Sequence, residues 1–80
     1  MGKDFFMMTL DRLKPGESGV IVRIGQPHAR LADLGFTEGT TVSCRFASPL
    51  GDPKAYEIRG AVIAMRKEDS SHIQVKAARP

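Results

Sequence analysis

Between Thr41 and Ile58 the chain reads TVSCRFASPLGDPKAYEI, and the punctuation of this stretch decides the fold class. Val42, Cys44 and Phe46 alternate with Thr41, Ser43 and Arg45, the period of two that a half-buried strand requires, so Cys44 is expected to point inward. Ser48 to Pro53 then puts two prolines and a glycine into six residues. Such a segment has no continuous ladder of backbone donors and reads as a tight, stiff loop. Beyond it Tyr56 and Ile58 alternate with Glu57 and Arg59, so extended chain flanks the loop on both sides.

Downstream, Gly60 breaks or bulges the strand and Ala61-Val62-Ile63-Ala64-Met65 resumes it, apolar at both phases, so the sequence leaves its buried face open. Arg66 to Ser71 is polar and long enough for one helical turn. Ile73 and Val75 then alternate with His72, Gln74 and Lys76, and residues 77–80 are expected to fray. Upstream, Val20, Val22 and Ile24 fall on one face of a strand, with Ile21 and Arg23 on the other. Pro27 suits the first position of a helix that carries Leu31 and Leu34 and ends at Gly35. With Gly35 as the left-handed C′ residue, Leu31 and Phe36 become the hydrophobic pair of a Schellman cap. Leu10 to Leu13 reads as one turn with Thr9 available as N-cap, stopped by Lys14-Pro15-Gly16. About five short strands with one short inserted helix make a mainly β chain, best described as a small SH3-like barrel. Its expected bounds are 8–76, after an N-terminal extension of residues 1–7 and before a frayed tail at 77–80.

Eighty residues allow one core. The run Phe5-Phe6-Met7-Met8 is far short of a signal-peptide core or a membrane span, which places the expected location in the cytoplasm. One cysteine excludes an internal disulfide, so packing must supply the stability unless a metal or an oligomer contributes. The net charge is +3, but the basic residues are scattered among acids, and the adjacent pair Arg66-Lys67 is followed at once by Glu68-Asp69. A chain of this kind lacks the basic stripe and stacking aromatics of a nucleic-acid-binding barrel. That class stays as the alternative reading, motivated by the basic balance and by barrel folds that bind nucleic acid.

No catalytic arrangement stands out, and no enzyme is expected. Ser70-Ser71 beside His72 has no nucleophile-elbow context, and no glycine-rich phosphate loop precedes a helix. Asp33 and Asp52 are isolated carboxylates; Asp52 is expected to fix its own turn through backbone amides. His28 and His72 share no ligand spacing, and Cys44 reads as a small buried hydrophobe, so neither metal nor cofactor is expected. Binding remains. The loop Pro49 to Pro53 either simply turns the chain or, being stiff, also presents Leu50 at little ordering cost; Leu31 and Leu34 each read first as core, and an exposed one would extend that apolar surface. A groove for polyproline would need an aromatic lining for which no Trp, one Tyr and four Phe are a poor supply.

Several motifs together resemble the FeoA family of ferrous iron transport over residues 8–75. They are Leu10-x-x-Leu13-Lys14-Pro15-Gly16-Glu17-x-Gly19, Arg30-Leu31-x-Asp33-Leu34-Gly35-Phe36-x-x-Gly39-Thr40, Ser48-Pro49-Leu50-Gly51-Asp52-Pro53, Ile58-Arg59-Gly60, Ile63-Ala64-Met65-Arg66 and Ile73-x-Val75. Met1 to Met7 precedes the usual start, and His28-Ala29 stands where the family often carries more arginine. The resemblance implies an SH3-like fold and a role supporting FeoB, a membrane protein that joins a cytoplasmic GTPase domain to an iron pathway. It also implies kinship of fold with the C-terminal domain of iron-dependent repressors, whose DNA-binding and dimerisation domains this chain is too short to include. The candidate partner-binding residues are Arg30, Leu31 and Leu34 on the helix and Pro49, Leu50, Gly51, Asp52 and Pro53 in the loop. FeoB is the expected partner, with a second copy of the chain as a weaker one.

Overall fold

A computed structural model describes residues 5–25 and 29–78. The alternating segments become six strands among these residues: β1 Phe5–Thr9, β2 Ser18–Ile24, β3 Thr41–Ala47, β4 Lys54–Ile58, β5 Ala61–Met65 and β6 Ile73–Ala78. Two short α-helices, α1 Ala29–Asp33 and α2 Lys67–Ser70, and a 3-10 turn at Leu10–Arg12 complete the elements. All the strands join one antiparallel sheet in the order β1-β6-β2-β3-β4-β5, which leaves β1 and β5 as its edges.

The sixth strand comes from the N-terminal side. Phe5 to Thr9 pairs with β6, Phe5 opposite Ala78 and Thr9 opposite Gln74. The local sequence is apolar at both phases there, so it is the long-range partner and not the pattern that makes Phe5 to Met7 a strand. The same pairing corrects the expectation that the chain frays after Lys76: Ala77 is buried and sits opposite Phe6.

The core gathers Leu10, Leu13, Ile21, Phe36, Val42, Cys44, Tyr56, Ile58, Ile73 and Val75. Cys44 is inside, as its phase requires. Phe46 is not: a register shift between Cys44 and Phe46 turns it to the outer face opposite Ala55, where it is 62% exposed. An extra residue in one strand reverses the alternation beyond it. A second shift between Ile21 and Arg23 likewise separates Ile24 from the phase of Val20, and Ile24 packs against the core while Val20 stays outside.

Two side chains of β4 pin the 3-10 turn over this core. The Lys54 amine donates to the carbonyls of Asp11 at 2.6 Å and Leu13 at 2.9 Å, and the Tyr56 hydroxyl donates to the carbonyl of Leu10 at 3.4 Å. Thr9 does hold the N-cap position of the turn, but its side chain makes no capping bond. The carbonyls that a short helix leaves open are thus met from across the sheet.

A candidate docking groove between α1 and β5

Leu31, Leu34 and Gly35 carry the geometry of the site. The Phe36 amide donates to the Leu31 carbonyl at 2.9 Å and the Gly35 amide to the Ala32 carbonyl at 3.0 Å, the two bonds of a Schellman cap. Gly35 has φ of +104°, a conformation that costs a side-chain-bearing residue dearly. Phe36 is swallowed by the core, and this anchors the C-terminal end of α1. Arg59 from the β4–β5 turn lies across Gly35, so close that an added Cβ would come within 2.9 Å of its Cδ. The helix end is therefore held against the β4–β5 hairpin, although the two are more than twenty residues apart in sequence.

That placement opens a groove of about 300 Å³ between α1 and β5, lined by Leu31 and Leu34 on one side and Ile63, Ala64 and Met65 on the other, with Arg66 and Asp69 at the rim. Leu31 is half-buried against the core and Leu34 is 38% exposed, so the leucine nearer the helix end is the one offered to solvent. The side chain of Arg30 lies outside the described residues, as do Pro27 and His28.

The loop from Pro49 to Pro53 does not complete this groove. Leu50 is 95% exposed and lines neither it nor the neighbouring cleft. Gly51 and Asp52 instead border a polar cleft of about 460 Å³ shared with Thr9, Arg12, Lys54 and Lys67. Asp52 differs from expectation: its carboxylate accepts from the Lys67 amide at 2.8 Å, so it holds the start of α2. A carboxylate at the first turn of a helix satisfies a donor that has no partner within the helix. The loop is thereby tied to α2, next to the residues that form the groove rim.

The serines of α2 and its cap serve structure. The buried Ser70 hydroxyl donates to the Lys67 carbonyl and the Ser71 hydroxyl to that of Glu68, both within α2 and its cap. His72 is exposed, and its carbonyl accepts from the Gly25 amide at 2.6 Å. Among the described residues, no three His, Cys, Asp or Glu side chains converge as a metal site. Burial pushes the Cys44 thiol above its ordinary pKa, which favours the protonated form. β5 is the contribution that the sequence does not single out. Its five residues are apolar at both phases, and only the sheet order reveals that they form an edge facing α1.

The comparisons with known proteins agree with this architecture. A family model described as the FeoA domain matches residues 8–77. The chain is 35% identical over 72 residues to the Fe(2+) transport protein A/Fe(2+) transporter FeoB fusion protein of Porphyromonas gingivalis, a match that covers 86% of this chain and 8% of that much longer relative. The solution structure of iron(II) transport protein A from Clostridium thermocellum superposes with a TM-score of 0.83 at 32% identity, over 88% of this chain and 45% of that one. FeoA of Stenotrophomonas maltophilia, described as a procaryotic SH3 domain protein and solved with zinc, gives a TM-score of 0.74 at 28% identity over 85% and 88% of the two chains. With the sheet order, the capped helix and the family match in agreement, this SH3-like chain belongs to the FeoA family.

Proposed function

We propose that this chain is a non-enzymatic accessory protein of ferrous iron uptake that works in the cytoplasm by docking on a FeoB-like transporter, with the α1 groove and the Pro49 to Pro53 loop as its contact surface. The observation that carries this reading is the Porphyromonas gingivalis relative, in which a FeoA sequence and a FeoB sequence share one polypeptide. Tethering raises the effective concentration of one module for another and fits two parts that work in contact. The apolar groove and the fully exposed Leu50 supply surface that the core does not use. To alter transport, docking must favour one state of the transporter over another.

The test is iron uptake by cells that contain a FeoB-like transporter, with and without this chain, together with co-purification. A rise or fall in uptake and recovery of the complex are expected. Equal uptake with no association would reject the proposal. Leu50→Asp should weaken association about tenfold, equivalent to roughly 1.4 kcal/mol, without loss of fold, because the side chain is almost wholly in solvent. Unchanged affinity would remove the loop from the contact surface.

A further inference from the structure

The hairpin that carries the groove has a turn whose geometry fixes which backbone groups of β5 are free. Arg59 and Gly60 both have positive φ, +50° and +83°, and link Ile58 and Ala61, which face each other across the pair. Two central residues of positive φ make a type I′ turn, and in such a hairpin the flanking residues exchange both backbone hydrogen bonds. Bonded pairs then alternate: Ile58 with Ala61, Tyr56 with Ile63 and Lys54 with Met65. The N–H and C=O groups of Val62 and Ala64 therefore point away from β4, along the free edge of the sheet. Their side chains stand off the outer face, since Met65 is buried and Ile63 partly so while Val62 and Ala64 are exposed.

The groove touches Ile63, Ala64 and Met65 in succession. Consecutive residues of a strand point to opposite faces, so a cavity that reaches all three must run along the strand's edge. On its far side stand Leu31 and Leu34. A row of outward backbone donors and acceptors beside an apolar trough is a site for an extended peptide, which gains affinity from main-chain bonds and specificity from alternate side chains. A helix laid on the groove would leave the outward N–H and C=O groups of β5 unpaired, whereas an extended segment uses them.

We infer that the transporter segment that occupies this groove is an extended strand, added to the edge of β5 through the backbone of Val62 and Ala64, with an apolar side chain seated between Leu31, Leu34 and Met65. This rests on the FeoB docking reading and specifies its mode. The trough beside β5 directs strand addition to that edge.

The test uses the full chain, a FeoB-like transporter purified in detergent, and two variants. Ala64→Pro removes an outward N–H without removing any bond to β4, and proline is accepted at such edge positions. Ala64→Ser keeps the N–H. Ala64→Pro is expected to lower affinity at least tenfold and Ala64→Ser to leave it within twofold. In the unmodified chain, hydrogen exchange at Val62 and Ala64 should slow at least tenfold when the transporter binds. A complex that forms with free exchange at these amides and full affinity of Ala64→Pro overturns strand addition while leaving docking in place. Absence of any complex overturns both. Protection that appears with rising concentration of the chain alone assigns the edge to a second copy and overturns the transporter segment as occupant. Should Ala64→Pro fail to fold, the exchange measurement on the unmodified chain decides.

Discussion

Lys54 is a half-buried cation whose donors are spent on two backbone carbonyls. Lys54→Met keeps the stem but leaves both acceptors of the 3-10 turn unmet, and a buried acceptor without a partner costs about 1–3 kcal/mol. Urea unfolding of the variant should show a loss in that range. The neighbouring Tyr56 is fully buried, and desolvation above all pushes its hydroxyl up to about 12 from 10.0, against the smaller opposing effect of a bond with Ser70. A phenol that ionises more readily in the unfolded chain draws protein out of the native state as pH climbs. The stabilisation is complete below pH 10.0 and is lost as pH rises toward about 12. Melts over this window should show falling stability, and Tyr56→Phe should flatten part of the fall. Cys44, raised in the same direction by burial, should resist thiol reagents in the native protein and react when urea opens the core.

At the level of elements, the helix cap and the strands were legible to different degrees, for one physical reason. The Leu31, Gly35 and Phe36 arrangement depends on residues within one turn of one another, and both of its hydrogen bonds appear where the spacing places them. Gly35→Ala should therefore cost about 1–3 kcal/mol, because it adds left-handed strain to a close approach to Arg59; a drop in thermal midpoint checks this. The bulges were not legible. Nothing in Cys44-Arg45-Phe46 announces a register shift, which arises from how β3 meets β4, and so an aromatic expected inside lies outside. The bond of Asp52 escapes a local reading for the same reason, since its partner, the Lys67 amide, is fifteen residues away.

For the whole molecule, the mainly β barrel, its inserted helix and the buried cysteine could be read from alternation and punctuation, whereas the strand at 5–9 and the face between α1 and β5 required the sheet order. Two of the eight candidate contact residues, Leu31 and Leu34, border the groove whose other wall β5 supplies, while Gly51 and Asp52 border the separate polar cleft and Leu50 stands apart. A single core drawn from every strand but β1, together with Leu10, Leu13 and Phe36, implies one cooperative unit. Circular dichroism and tyrosine fluorescence should report one coincident thermal transition. The scattered charge makes a further prediction: titration with DNA or RNA at low ionic strength should show no binding, and a steep, salt-dependent affinity would restore the nucleic-acid reading.

Phe5 and Ala78 face each other across β1 and β6, so the first and last strands leave the barrel side by side. Chain continuing past Phe5 or past Ala78 sets out from neighbouring points, and a linker between the two would make the backbone circular. Nature or an engineer can thus hang this domain on a larger protein by its head or its tail without reorienting it, and a permuted version with new ends cut elsewhere in a surface turn should still close the same sheet.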